Sequence, residues 1–375
     1  MFPRIRLSRL SKPSAIFARA SVQCSSNRTS LQSRVVSRNT HDSSGGNYNA
    51  PPPTSPPVRS NFAALTIWTI AAVSTIYATS AVYENVNLKK ETPKVISLFS
   101  RDKDNAYDVR RKVHEMKYTP GLLYPSTSWP PVNQLSTPKG RQDFWGKLLP
   151  SEKFTYTIMA MNVGIHALGS IAPALWQNMF VHIPGTNKNF TLLTCVFGHD
   201  SLIHLGFNMY GLYSFMPTLG QDRTFNSSIA HMTAFYLSTG VIASWAQALS
   251  AGLRPNVPSI PFLGASGSIF ALIGAFALHH PEAKFQIMFI PYPFAAQELL
   301  GAVMLFDLLG VFGAYKAIKL GHAAHLSGAL LGLGYVYFDG EKKIWQPICR
   351  GVYKWFQMSK WEDKIKWTER EKRRR

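Results

Sequence analysis

Apolar residues gather along this chain into long runs separated by charged or proline-rich stretches. The run from Asn61 to Tyr83 contains no charged residue and has about the ~20-residue length that crosses a bilayer core as a helix. A polar stretch rich in Lys, Arg and Pro follows, from Glu84 to Lys153. Six more runs then come close together: Phe154 to Trp176, His199 to Leu219, Ser228 to Ser250, Phe262 to His279, Ala295 to Tyr315 and Gly321 to Phe338. The pattern predicts an all-α polytopic membrane protein with one span (61–83), a basic linker (84–153) and a six-helix core (154–338). No internal repeat stands out, which argues against an inverted-repeat transporter.

Charge sharpens the picture. The net charge is +20, yet charged residues make up only 16% of the chain, against roughly 25% in a typical soluble domain. The basic residues crowd into the N-terminal segment, the linker and the tail, whereas a nucleic-acid binder would spread them over a folded face. An anionic membrane surface is therefore the expected neighbour, and nucleic acid is not. Residues 1–41 are rich in Arg and Ser and reach Asp42 before any acidic side chain, the mark of an organelle transit peptide; a disordered basic tail is the plainer alternative. Residues 42–60, with Gly45-Gly46 and Pro51-Pro52-Pro53, have linker composition. The cysteines (Cys24, Cys195, Cys349) are scattered and show neither a disulfide framework nor a zinc spacing. No metal or organic cofactor is implied.

Polar residues inside apolar runs are costly, so they mark where chemistry is to be sought. Gly264-Ala265-Ser266-Gly267 opens the fourth core run after a Pro-rich loop. A serine there is exposed beside backbone N–H groups that lack helical partners and can stabilise an oxyanion; it also suits an ordinary helix cap. Ala324-His325-Leu326-Ser327-Gly328 lies about one turn into the sixth run, where an imidazole can take a serine proton or simply hydrogen-bond another helix. In the second run, His204 and Asn208 are four apart and share a helix face, suited to oxyanion donation or to knitting helices together.

Topology joins these three. The second, fourth and sixth runs cross in the same direction, and Ser266, His325 and His204 each lie within about one and a half turns of a run's start. At ~1.5 Å per residue they reach similar depth below one surface. Together they make an acyl-transfer site, a Ser–His pair with no obvious carboxylate. Asp307 and Glu298, in the fifth run, are read as polar packing or gate contacts.

At these residues the chain resembles the rhomboid family, and specifically its mitochondrial branch. His204/Asn208, Gly264/Ser266/Gly267 and Ala324/His325/Gly328 match its His-x-x-x-Asn, Gly-x-Ser-Gly and Ala-His-x-x-Gly motifs in order and spacing, over about 166–338. The span before the core matches the one-plus-six layout. The resemblance implies that Ser266 is the nucleophile and His325 the base, with His204, Asn208 and the Ser266 amide at the oxyanion. Two positions depart: Gln177 follows Trp176 where many members have Trp-Arg, and Phe270 stands where many have Tyr, keeping a surface for the histidine ring. The implied activity is cleavage of single-span inner-membrane proteins, including dynamin-like GTPases and imported precursors, in a mitochondrial inner membrane. An inactive rhomboid-like chaperone and a transporter are the rival readings. The tail, 339–375, carries Trp345, Trp355, Trp361 and Trp367 among basic residues, and reads either as a helix lying on anionic lipid or as a solvated extension.

Overall fold

The computed structural model describes residues 61–91, 106–118, 135–253, 260–286, 292–315, 320–357 and 359. The transit and linker assignments for 1–60, the Pro-rich loop at 254–259 and the last residues of the tail lie outside the described residues.

The described chain is almost wholly helical. In order, α1 is Phe62–Glu91, α2 Ala106–Lys117, α3 Pro138–Lys147, α4 Pro150–Ile171, α5 Pro173–Phe180, α6 Leu202–Leu219, α7 Ile229–Gly252, α8 Ser266–His279, α9 Ala296–Val311 and α10 His322–Tyr337. One antiparallel hairpin interrupts them, Lys284–Gln286 against Pro293–Ala295. Among the described residues, Phe62–Lys90 is long and apolar enough by length and composition to cross a bilayer.

Helix α8 is the centre of the bundle and packs against α6, α7, α9 and α10. Its residues Gly267, Ala271, Leu272 and Ala275 are buried, and the core continues through Leu212, Phe215 and Met216 of α6 to Phe235 and Tyr236 of α7. Small residues set how closely the helices approach. A Cβ on Gly332 would strike the carbonyl oxygen of Ala271, and one on Gly274 would strike that of Ala329. Backbones this close gain dispersion contacts that larger side chains would hold apart.

Several boundaries differ from the sequence reading. The first core run breaks at Ala172, before Pro173, so Trp176 sits in the separate α5 and packs beneath Gly169, 3.3 Å from the position of a Cβ there. A proline at N1 starts a helix readily but cannot continue one, which explains the break. Helix α1 runs on past Tyr83 to Glu91, and the polar stretch after it contains α2 and α3. The described part of the tail packs on protein. Residues 346–357 are helical, and Trp345, Cys349 and Tyr353 are buried against Ala81 and Leu88 of α1 and Tyr107 of α2. Two ion pairs bind this assembly, Arg111 to Glu341 at 2.6 Å and Arg350 to Asp108 at 2.9 Å. Burial pushes the Tyr107 phenol and the Cys349 thiol far above their usual ranges, which keeps both neutral.

Candidate active site

Ser266 is the first residue of α8, after a loop the backbone specifies tightly. His182 and Phe262 exchange both backbone hydrogen bonds at 3.0 Å, and the Gly264 N–H donates to the Cys195 carbonyl at 2.9 Å. Gly264 has φ +127°, a conformation few residues other than glycine adopt. A side chain there would also meet His204 Nε2 at 2.8 Å. Its neighbour Ala265 is the helix cap and makes no side-chain capping bond. The Ser266 hydroxyl is therefore not used as a cap, and it lies 2.9 Å from His325 Nε2, across 59 positions of sequence.

His325 is the fourth residue of α10. Its ring stacks on Phe270, centroids 4.2 Å apart and planes 5° from parallel, and its side chain is 12% exposed. A third group completes the line. Asp307, 2% exposed on α9, accepts from His325 Nδ1 at 3.3 Å and from His322 Nδ1 at 2.7 Å. The sequence reading, a Ser–His pair with Asp307 in packing or gating, did not foresee this contact between the carboxylate and the ring. The available signal was His322-x-x-His325, two histidines on one helix face, with a lone mid-helix acid in the preceding run. Glu298, by contrast, caps α9, its carboxylate accepting from the Ala295 N–H at 2.8 Å.

His204, third in α6, presents Nε2 towards Gly264, while its Nδ1–H donates to Asp200 Oδ1 at 2.9 Å. Asn208 is buried, and its amide donates to the His204 carbonyl at 3.0 Å. A primary amide carries two N–H groups, so one remains. Gly267 and Gly328 let α8 and α10 touch: a Cβ on Gly328 would collide with the Gly267 carbonyl, and one on Gly267 would lie 2.6 Å from Ala243.

Ser266, His325, His204 and Asn208 line one cavity of about 810 Å³. Its apolar wall comes from Ile203, Phe207 and Tyr210 of α6, Phe285 of the hairpin, and Leu299 and Val303 of α9. Among the described residues, no group of three or more His, Cys, Asp or Glu side chains could hold a metal ion.

The helical bundle thus holds a cavity lined by a serine and two histidines, with a buried carboxylate behind one of them. The Rhomboid domain model matches residues 186–342. Mitochondrial presenilin-associated rhomboid-like protein from Bos taurus is 31% identical over 224 residues, covering 57% of this chain and 56% of the relative. Mitochondrial rhomboid protein 1 of Saccharomyces cerevisiae is 24% identical, covering 55% and 59%. Rhomboid protease GlpG of Yersinia pestis is 23% identical, covering 58% and 74%. The chain belongs to the rhomboid family and is similar to its mitochondrial members. It spans about half the length of the mitochondrial relatives it matches.

Proposed function

We infer that this protein is an intramembrane serine endopeptidase of the mitochondrial inner membrane, with one span preceding a six-span core, and that it cuts transmembrane segments of single-span proteins. The observation that carries this reading is the 2.9 Å contact between Ser266 Oγ and His325 Nε2 inside a largely apolar cavity. Asp307 accepts from Nδ1–H, so the neutral ring keeps its proton on that side and offers Nε2 as a base. Ser266 Oγ attacks the scissile carbonyl as its proton passes to His325, which then returns that proton to the leaving amine. Water reverses the sequence on the acyl-enzyme.

The oxyanion needs donors aimed at a position next to Ser266. The Ser266 amide at the helix start, His204 Nε2 beside Gly264 and the second N–H of Asn208 are suited to this. A substrate entering past Ile203 and Phe207 must unwind to expose its carbonyl, so helix-weakening residues at the cut should favour cleavage. Dynamin-like GTPases and imported precursors are the proposed substrate types. A chaperone that binds without cutting would leave the Ser266–His325 contact without purpose. The test is purified protein in anionic liposomes with a labelled single-span substrate: site-specific cleavage by the wild type and none by Ser266→Ala is expected. Binding of substrate without any cleavage would sink the reading.

A further inference from the structure

Asp200 sits one turn before His204, and the direction of the hydrogen bond between them has a chemical consequence. A carboxylate only accepts, so His204 must donate from Nδ1. A neutral imidazole has a single N–H, and here that hydrogen is spent on Asp200. The nitrogen facing Gly264 and the Ser266 loop is Nε2, which in this tautomer carries a lone pair. A lone pair opposes a developing oxyanion. Only the doubly protonated ring can bind Asp200 and donate into the site at once.

We propose that Asp200 is a positioning residue that makes His204 act as an oxyanion donor only in its imidazolium form. The proposal rests on the oxyanion role given above to His204. It makes the two site histidines work in opposite states: His325 neutral to accept the serine proton, His204 charged to donate. The groups around His204 fit such a division. Asp200 supplies a negative charge at the N-terminal end of α6, where it also complements the helix dipole. His199, from the preceding loop, meets the ring edge-on with centroids 5.2 Å apart. His166 of α4 lies behind it, bonded at 2.8 Å to the His199 carbonyl. Across the cavity stands His325 of α10, and the wall from the Ser266 loop presents backbone only at Gly264. Asp200 is thus the one anionic partner of the ring among the described residues.

The consequence is an alkaline limb in kcat. A site whose His204 holds only the proton bonded to Asp200 lacks one oxyanion donor, and its turnover should be lower by about a hundredfold or more. The experiment is the pH profile of kcat for the reconstituted full chain and for Asp200→Ala, Asp200→Asn and His204→Ala. In Asp200→Ala the neutral ring can move its proton to Nε2, so the alkaline limb should flatten. Asp200→Asn keeps an acceptor oxygen for Nδ1–H, and should keep the limb. Nitrogen-15 histidine spectra provide a reading independent of activity, with the His204 signals assigned by their loss in His204→Ala. At high pH the wild type should show a protonated Nδ1 and bare Nε2, reversed in Asp200→Ala. A wild-type neutral ring protonated at Nε2, or an unchanged limb in Asp200→Ala alongside a slow His204→Ala, overturns the proposal alone. A His204→Ala enzyme with wild-type kcat overturns the oxyanion role, and the proposal with it.

Discussion

Gly328 lies so close to the carbonyl oxygen of Gly267 that no Cβ fits between them. Each glycine belongs to the turn that carries one of the two proposed reacting groups, Gly267 directly after Ser266 and Gly328 three residues after His325. The close approach of these two backbones brings the hydroxyl and the imidazole to 2.9 Å. Gly328→Val should therefore wedge α8 and α10 apart, lowering thermal stability by about 1–3 kcal/mol, as overpacking does, and lowering turnover as well. Unchanged activity with a lower melting temperature would separate the packing from the chemistry.

Ser266→Ala and His325→Ala are each expected to abolish cleavage, and the double variant should be no worse than either, because the two groups act as a unit. Rates in liposomes check this. Additive losses would mean that the two side chains do not share a step.

Asp307→Asn tests the third group. The carboxylate receives the shorter bond from His322 and the longer from His325, so its hold on the base is shared. A fall in kcat of about a hundred- to ten-thousand-fold, with KM nearly unchanged, is expected from loss of the correct tautomer. A normal kcat with reduced thermal stability would confine Asp307 to packing.

Asn208→Ala should lower kcat more than it raises KM, because an oxyanion exists only near the transition state. Loss of one donor costs about a hundred- to a thousand-fold, and the smaller end is expected because His204 shares the site. A raised KM at constant kcat would reassign Asn208 to substrate positioning or to its bond with the His204 carbonyl.

His182 gives a pH-dependent stability. It is buried, donates from Nδ1 to Thr191 Oγ1 at 2.8 Å and, through Phe262, holds the loop before Ser266. Burial lowers its pKa from 6.5 to about 4. The unfolded chain therefore takes up a proton first as pH falls. Stability is fully present above about 6.5, erodes below it and is lost by about pH 4, in total on the order of 3 kcal/mol. Melting temperatures of wild type and His182→Asn across that window should diverge, with the variant less sensitive to acid. Parallel curves would remove His182 as a cause.

The amino-acid order by itself carried a great deal. Uncharged runs of bilayer length announce helices because an unpaired backbone group in hydrocarbon costs several kcal/mol. Gly264-x-Ser266-Gly267, Ala324-His325-x-x-Gly328 and His204-x-x-x-Asn208 announced a site because each is a local pattern at a helix start. What the sequence hid depends on contacts between distant segments. Asp307 reads as one acid in an apolar run, and acquires its partners only when α9 packs beside α10. The segment 84–153 reads as a polar linker and the tail as either a helix on lipid or a solvated extension, yet Tyr107 and Trp345 are buried where α1, α2 and the tail helix meet. A polar helix with one narrow apolar face has no fixed place until its partner arrives, because burial, unlike helical periodicity, belongs to the pair.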